Sequence, residues 1–238
     1  MRGPYGFQLI EDCQTCKQRG NGFFCQLSAN ALKDFEAIKS PSTYPKGALL
    51  FIEKLDARGI YVLCEGEVKL SVSSAEGKTL ILRIAKAGEV LGLMPTLTGT
   101  LHEVTAETIR PCQVAFVRRD DFLRFLTKHP EAYQKVTGQL STQYGHACEQ
   151  LRTLGLSMSV PGKLAKLLLD WSAEQGQAKD ANRAKLPLTH EEIAEFIGTT
   201  RESVTRTLSD FKSHHLVTLQ GSTLMISDRD ALEELAAA

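Results

Sequence analysis

The chain has 238 residues, 42% of them hydrophobic, and its 28 basic side chains balance 28 acidic ones. This length allows one large domain or two ordinary domains with buried cores. No apolar run approaches the roughly 18 to 20 residues that a membrane span needs, and the first residues lack a signal-peptide pattern, so we expect a soluble, cytoplasmic protein with no membrane partner. Zero net charge excludes binding to nucleic acid through overall charge, so any such binding must come from a local surface.

The N-terminal segment, residues 1–27, is rich in glycine and contains Cys13, Cys16 and Cys25. Two residues separate the first two cysteines, and eight separate the second from the third. The cytosol keeps thiols reduced, so we expect no disulfides, and a flexible segment with this spacing is suited to wrapping a metal. Thiolates suit zinc and iron–sulfur clusters alike. The residues alone leave three alternatives open: an iron–sulfur cluster, a zinc or thiol–disulfide site, and no metal.

The next hundred residues combine short helices with many short strands. Ser28 caps a predicted helix that runs to Ile38, and Asp120 or Asp121 is expected to cap another. Between them lie seven β-prone runs separated by turn residues, which predict an all-β sandwich or barrel. Strand alternation indicates that Cys64 is buried packing. The predicted strands are residues 48–52, 60–63, 68–72, 79–84, 90–93, 104–109 and 113–117.

A long helix is predicted to follow. It begins at Pro130, which is favourable in a first helical turn, and runs to about Leu156. Apolar side chains recur along it at steps of three and four residues. This stripe either packs on the strands of the same chain or forms a coiled-coil seam with a second copy. Gly138 and Gly145 weaken the helix but would let two backbones approach closely.

The C-terminal third contains two predicted helix starts that are ten residues apart. Thr189 with Glu192, and Thr199 with Glu202, each match a capping box. Gly198 lies between the two helices, where a tight turn needs an unhindered backbone. The pattern predicts either a helix-turn-helix or an ordinary helical hairpin. A β-hairpin after these helices would supply the wing of a winged helix.

The outward face of the second helix favours a helix-turn-helix that binds DNA. Arg201, Glu202 and Arg206 share one side, at about 0, 100 and 140 degrees around the helix. Arginine binds the O6 and N7 atoms of guanine through two hydrogen bonds, and glutamate accepts from the amino group of cytosine. From Val160 onward, nine basic residues against twelve acidic ones argue against non-specific binding. The candidate DNA-binding residues are Thr200, Arg201, Glu202, Ser203, Thr205 and Arg206.

The stretch IAEFIGTTRESVTRTLSDFKSHHLV, from Ile193 to Val217, resembles the Crp/Fnr family, which includes the catabolite activator protein and the fumarate and nitrate reduction regulator. The likeness covers nearly the whole chain, including the turns at Gly66, Gly77 and Gly88 and the long helix. It implies an α+β fold made of three parts after the N-terminal segment. These parts are a β-roll (jelly roll) like those that bind cyclic nucleotides at residues 28–130, a dimerisation helix at 131–158, and a winged helix-turn-helix at 159–238.

The resemblance also implies a function. The protein would be a homodimeric transcription regulator that reads palindromic operator DNA and contacts RNA polymerase. Arg201, Glu202 and Arg206 look like the family's base-reading residues, which implies half-sites of the TGTGA kind. The sequence has no Ser/His/Asp constellation, P-loop or HExxH motif, so we do not expect an enzyme.

A candidate effector pocket lies in the β-roll. In family members that bind cyclic nucleotides, a Gly-Glu pair lies near the cyclic phosphate. About ten residues later an arginine follows, whose guanidinium forms an ion pair with that phosphate. Gly88 and Glu89 match the pair, but Thr98 and Thr100 occupy the later region, where no arginine is present. The phosphate would lose its charge partner, so the sequence argues against cyclic AMP.

The cysteines resemble those of the oxygen-sensing branch, where three N-terminal cysteines and one strand cysteine bind a [4Fe–4S] cluster. This resemblance implies that Cys13, Cys16, Cys25 and Cys112 hold such a cluster and that the regulator answers a redox, oxygen or nitric oxide signal. A cysteine also stands at the position of Cys112 in the catabolite activator, which binds no cluster, so buried packing stays open for it. The alternative is a regulator with structural zinc or no metal that responds to a small effector in the β-roll.

Overall fold

The structure is a computed structural model that describes residues 5, 13, 16, 22, 24–155, 159–175, 183–186, 188–220 and 223–237. The tip of the predicted wing, at residues 221–222, and the end of the long helix predicted near Leu156 lie outside the described residues. The chain divides into two compact units. The first comprises residues 1–74 and 82–146, and the second comprises residues 75–81 and 147–238. The predicted domain limits stay predictions.

The first unit contains the β-roll and its helices. Its elements in chain order are α1 (Ala29–Ile38), β1 (Lys39–Tyr44), β2 (Leu49–Phe51), β3 (Gly59–Glu65), β4 (Glu67–Ser73), β5 (Thr79–Lys86, whose first residues belong to the second unit), β6 (Val90–Leu91), α2 (Leu93–Thr98), β7 (Thr105–Thr108), β8 (Cys112–Arg118), α3 (Arg119–Lys128) and the first part of α4 (Pro130–Gly155).

Two four-stranded sheets form a β-sandwich, with strand orders β1-β8-β3-β6 and β2-β7-β4-β5. Both faces of the first sheet are buried. The face toward the second sheet carries Leu63 and Val114, and the opposite face carries Val62 and Ala115, which pack against α1, α3 and α4. Successive side chains of a strand point to opposite faces, so neighbours in sequence on β3 and β8 lie in different cores. The predicted α+β fold is confirmed.

Helices α1 and α4 begin as the sequence predicts, but α3 does not. The Ser28 side chain caps α1 by accepting a hydrogen bond from the amide of Ala31 at 3.3 Å. The predicted capping of α3 by an aspartate is wrong, because Arg118 is the N-cap and both Asp120 and Asp121 lie within the first turn. There the carboxylates interact favourably with the positive end of the helix dipole instead.

Two elements do not follow the predicted strand pattern. The run predicted as a strand over residues 90–93 ends at Leu91, and α2 begins at Leu93 between two left-handed glycines, Gly92 and Gly99. Strand β1 was not predicted at all. It includes Pro41, and it lies at the edge of its sheet, where a residue without an amide hydrogen is tolerated.

The side chain of Gln139 on the long helix α4 forms hydrogen bonds to the first sheet. The amide of Gln139 accepts from the backbone amide of Val90 at 3.2 Å and donates to the carbonyl oxygen of Val90 at 2.6 Å. Strand β6 is the edge strand of its sheet, so the side chain occupies positions that a neighbouring strand would use. Val136 is buried against the sheet, whereas Tyr144 and Leu151 are 74% and 70% exposed.

The second unit holds the C-terminal elements α5 (Val160–Gln175), β9 (Arg183–Lys185), α6 (His190–Ile197), α7 (Arg201–Ser213), β10 (Val217–Gln220), β11 (Thr223–Ile226) and α8 (Arg229–Ala237). The strands form an antiparallel sheet in the order β10-β11-β9, and β10 with β11 makes the predicted hairpin. None of the helices in the described part of the chain is long and apolar enough to cross a membrane.

Candidate nucleic-acid interface and cysteine cavity

Helix α6 is capped at its start by Thr189 and at its end by Gly198, and a short turn then joins it to α7. The Thr189 side chain accepts from the amide of Glu192 at 3.2 Å, and the carboxylate of Glu192 accepts from the amide of Thr189 at 2.9 Å, so the first predicted capping box is confirmed. Gly198 ends α6 in the left-handed region, with φ of 67° and ψ of 47°. A side chain is disfavoured there, which explains the glycine.

The second predicted capping box is wrong, because Thr199 is not the N-cap of α7 and Glu202 is not its third residue. Thr200, not Thr199, is the N-cap of α7, and its hydroxyl accepts from the amide of Ser203 at 3.3 Å. The amide of Thr199 donates to the carbonyl of Ala194, so this residue still belongs to the end of α6. Helix α7 therefore begins one residue later than the sequence pattern predicts.

The position of the cap can be tested by two single substitutions. Thr200→Ala should lower the free energy of unfolding by about 1 kcal/mol, because the amide of Ser203 loses its partner. Thr199→Ala is the matched control and should cost only a few tenths of that value. Urea denaturation followed by circular dichroism measures both, and a larger loss for Thr199→Ala would contradict the assignment.

Helix α7 has a buried face and an exposed one. Val204, Leu208 and Phe211 are buried in the core of the second unit. Arg201, Glu202, Thr205 and Arg206 are exposed, and Ser203 is half-buried. The structure brings all the predicted DNA-binding side chains to the first two turns of one helix.

The two arginines and the glutamate of this face make no ion pair with one another. Arg201, Glu202 and Arg206 have no hydrogen bond or ion pair from their side chains to other residues within the described ranges. Thr205 differs, because its hydroxyl donates to the carbonyl of Arg201 at 2.9 Å and lies 3.0 Å from Nδ1 of His190. The charged side chains are thus open to a ligand, whereas Thr205 helps to hold the start of α7 against α6.

Four cysteines line one cavity of about 30 Å³ in the first unit. Cys13, Cys16 and Cys25 come from the N-terminal segment, as the sequence predicts. The fourth is Cys64, which strand β3 carries on the same face as Val62. The remaining described lining is mainly apolar and includes Phe24, Phe35, Leu63, Gly88 and Ala115, together with the charged side chain of Lys39.

Cys112 does not lie with these cysteines, which corrects the predicted ligand set. Its side chain is fully buried between the two sheets, on the face of β8 that also carries Val114. Its Sγ donates to the carbonyl oxygens of Arg110 at 3.2 Å and Glu67 at 3.4 Å. Because side chains on the two faces of a sheet are separated by its backbone, Cys112 occupies the opposite core from Cys64.

The pKa values of the thiols reflect this grouping. Burial raises the pKa of Cys64 to about 12, and the neighbouring Cys13, Cys16 and Cys25 add to the increase. The pKa of Cys25 is also raised, first by burial and then by Cys16 and Cys13. Burial raises the pKa of Cys112 to about 11, and the only other residue that affects it is Glu67. The four cavity cysteines are mutually close, and Cys112 is apart from them.

The cavity is not a closed metal site as it stands. None of the cysteines is in a disulfide. Within the described part of the chain, no group of three or more cysteine, histidine or acidic side chains is arranged to hold a metal ion. A centre at this position would therefore be assembled as a metal binds.

The predicted effector residues are not gathered into one pocket. The carboxylate of Glu89 already accepts two hydrogen bonds from residues of β5. One comes from the Arg83 guanidinium at 2.5 Å, and the other comes from the amide of Lys86 at 2.8 Å. Thr98, the last residue of α2, and Thr100, which follows the helix, are exposed, and their hydroxyls lie 2.8 Å apart. Gly88 and Glu89 instead border a groove of about 400 Å³ that also includes polar side chains of α4.

An arginine that the sequence pattern does not indicate lies near the predicted pocket residues Thr98 and Thr100. Arg119, at the start of α3, lies beside Gly99, where its guanidinium would be 3.3 Å from an added Cβ. Its Nε donates to the carbonyl of Thr96 at 2.8 Å. Arg119 is distant from α2 in the chain, so only the fold brings it to the end of that helix, where its hydrogen bond to Thr96 stabilises the terminus.

Two family models match the chain. A cyclic nucleotide-binding domain matches residues 41–129, and a Crp-like helix-turn-helix domain matches residues 162–235. The first match covers the β-sandwich, and the second covers the helix-turn-helix and the hairpin that follows it.

Several known proteins are similar over most of their length. The CRP-like cAMP-activated global transcriptional regulator of Mycobacterium tuberculosis is 26% identical over 216 residues, which cover 90% of this chain and 96% of that protein. The transcriptional activatory protein AadR of Rhodopseudomonas palustris is 27% identical over 228 residues, which cover 95% of this chain and 94% of that protein. The solved structure of FixK2 from Bradyrhizobium japonicum has the same fold, with a TM-score of 0.74 at 23% identity, covering 84% of this chain and 98% of that one.

Proposed function

The chain belongs to the Crp/Fnr family and is a DNA-binding transcription regulator, and from this premise we propose that it reads a palindromic operator through the first turns of α7. The observation that carries this proposal is the exposed face of that helix. Arg201, Glu202 and Arg206 face away from the core of the second unit without partners among the described residues. Side chains of these types at the start of a recognition helix reach base edges in the major groove.

Selection of bound duplexes from a random pool tests this proposal. The selected sequences should contain two inverted half-sites, each with a guanine for Arg206, with their centres about 34 Å apart. Enrichment of a single unpaired half-site, or no enrichment over scrambled competitor, would contradict it.

The two half-sites require a dimer, for which α4 is the proposed seam. Tyr144 and Leu151 are large apolar side chains that are seven residues apart, so they lie on one side of the helix. Both are mostly exposed, whereas Val136 on the same predicted stripe is buried by the chain itself. An apolar face that the subunit leaves uncovered is suited to contact with the same face of a second copy.

Leu151→Asp should weaken dimerisation by about 100-fold or more, because two symmetry-related carboxylates would face each other in an apolar seam. His146→Asp is the matched control. It introduces the same charge at an exposed position of α4 that lies roughly 160 degrees around the helix from Tyr144, on the other side of α4. Analytical ultracentrifugation measures both dissociation constants. Equal dissociation constants for the two variants would place the dimer seam elsewhere.

Contact with RNA polymerase is the proposed output. A promoter placed beside the selected operator should show altered transcript levels with purified RNA polymerase when the regulator saturates the operator. Unaltered transcription at full occupancy would contradict a direct contact.

The proposed signal is redox, oxygen or nitric oxide, sensed through a cysteine-bound [4Fe–4S] cluster. Cys13, Cys16 and Cys25 would supply three thiolates, and the presence of all three on one thiol-rich, largely apolar cavity supports this assignment. When bound, such a cluster supplies a centre that oxygen and nitric oxide alter. Lys39 donates to Sγ of Cys13 at 3.0 Å and would offset part of the negative charge of the thiolates.

Anaerobic purification tests the sensor proposal. The protein should be brown, with broad visible absorbance and about four iron atoms per subunit. Exposure to air should bleach the absorbance and change the affinity for the selected operator. Colourless protein without iron would contradict the cluster.

The second candidate is a regulator with zinc or no metal that responds to a small effector. The groove of about 400 Å³ beside Gly88 and Glu89 favours it, because polar side chains of α4, including Gln143 and His146, lie along it. Colourless protein that contains zinc, or a metal-free protein whose operator affinity changes with a small polar metabolite, would support this candidate over the cluster.

A further inference from the structure

Cys64 is a cavity cysteine to which neither the sequence pattern nor the family resemblance gives a functional role. We propose that Cys64, in place of Cys112, is the fourth thiolate ligand of a soft-metal centre that Cys13, Cys16 and Cys25 also hold. This inference rests on the proposed function, because it names the ligands of the same sensory site. The metal class is one that prefers thiolates, either an iron–sulfur cluster or zinc.

The position of Cys64 on β3 is the first support. It follows Val62 by two residues, so both side chains lie on the sheet face that α1 and α3 cover. The N-terminal cysteines Cys13, Cys16 and Cys25 lie against that same face of the sheet. Cys112 points into the core between the two sheets, where its thiol already donates to two backbone carbonyl groups. No side-chain rotation brings Cys112 through the sheet to the cavity.

The lining of the cavity is the second support. Its volume of about 30 Å³ exceeds the roughly 10 to 15 Å³ that one water molecule needs, so the described lining leaves space for a small ligand. Voids of this kind cost stability in a close-packed interior unless a ligand fills them. Among the residues that the structure describes, four thiols and the ammonium of Lys39 are the main polar groups of the lining, and none of these lining residues carries a carboxylate. A hard cation needs oxygen ligands, so a cavity lined by thiols favours a soft metal ion.

The positioning of the N-terminal thiols is the third support. The amide of Cys13 donates to the carboxylate of Glu36 on α1, and its Sγ accepts from Nζ of Lys39 at 3.0 Å. The amide of Cys25 donates to the carbonyl of Gly22 at 3.1 Å, and an added Cβ on Gly22 would lie 2.5 Å from Sγ of Cys25. The absence of a side chain at residue 22 therefore leaves room for the Cys25 thiol. Two ligands from the N-terminal segment, Cys13 and Cys25, are thus held beside Cys64, which strand β3 carries.

Metal binding by full-length Cys64→Ser tests the inference. Metal-free, reduced protein is titrated anaerobically with Co²⁺, whose charge-transfer absorbance reports bound thiolates, and iron and zinc are measured in anaerobically purified protein. The substitution should reduce Co²⁺ affinity and retained metal by at least about tenfold, since even outer-shell changes cost 10- to 100-fold. Cys112→Ser and Cys148→Ser are the matched controls and should keep the wild-type affinity and absorbance.

Folding is checked separately by circular dichroism of the metal-free proteins, and Cys64→Ala repeats the test with a residue that adds no polar group to the wall. Loss of metal in both Cys64 variants, with Cys112→Ser unaffected, supports the inference. Wild-type metal content in the Cys64 variants, or its loss in Cys112→Ser alone, overturns it while leaving a metal-dependent sensor in place. Wild-type protein that binds neither iron, zinc nor Co²⁺ overturns the sensor proposal as well.

Discussion

Replacing Arg206 with alanine is expected to weaken binding to the selected operator by about 10- to 100-fold, or about 1 to 3 kcal/mol, and to remove the preference at one G:C pair of each half-site. The reason is geometric. The side chain is exposed on the recognition face of α7, so its guanidinium can donate two hydrogen bonds to a guanine edge. Competition binding at constant salt, with duplexes that differ only at that base pair, measures both effects.

Lys212→Ala is the matched control for this substitution. Lys212 is exposed in the last turn of the same helix, so its removal takes away one positive charge without touching the first turns. We expect a small loss that is the same for every base pair tested. If Arg206→Ala lowers the affinity for operator and random DNA equally, Arg206 contacts only phosphate and the assignment of its base-reading role is wrong.

Gly59→Ala is expected to lower the free energy of unfolding by roughly 3 to 5 kcal/mol, the upper range for a single substitution. An added Cβ would lie 2.0 Å from the carbonyl oxygen of Val117 on the neighbouring strand β8. Backbone atoms cannot move aside as the end of a flexible side chain can, so β3 and β8 would have to separate at this point. Urea denaturation at constant protein concentration measures the loss.

Gly138→Ala makes the same chemical change where there is space. A Cβ at this position of α4 meets no atom within 4 Å among the described residues, and the helix interior favours alanine over glycine by up to about 1 kcal/mol. We expect unchanged or increased stability. Losses of similar size in the two variants would show that the effect at residue 59 is not the contact with β8.

Local patterns predicted those parts of the fold that depend on neighbouring residues. Ser28 and Thr189 cap their helices as predicted, because a hydroxyl and the amide it accepts from are three residues apart. Strand β1 escaped prediction, since its sequence KSPSTY is polar and contains proline, and only pairing with β8 makes it a strand. The cap of α7 was predicted one residue too early because Thr199 and Thr200 both fit the local pattern, and the backbone of Thr199 is used by α6.

The candidate sites were predictable to different degrees for the same reason. The recognition face needs only helical periodicity, so Arg201, Glu202 and Arg206 were found together. The cysteine cavity joins residues from distant parts of the chain. Alternation along a strand predicts that Cys64 is covered, but it does not indicate which core covers it or that the N-terminal segment lies on that face. The family pattern indicates Cys112 and not Cys64, and only the topology of the first sheet shows that the two cysteines lie in different cores.

The contact between Gln139 and Val90 bears on the behaviour of the protein in concentrated solution. The side-chain amide of Gln139 bonds both the N–H and the C=O of Val90, so no strand of another molecule can pair with the sheet at this residue. Open sheet edges recruit strands from other molecules and lead to aggregation. Shortening this side chain would therefore show itself as precipitation or fibre formation during purification, before any change in gene regulation could be assayed.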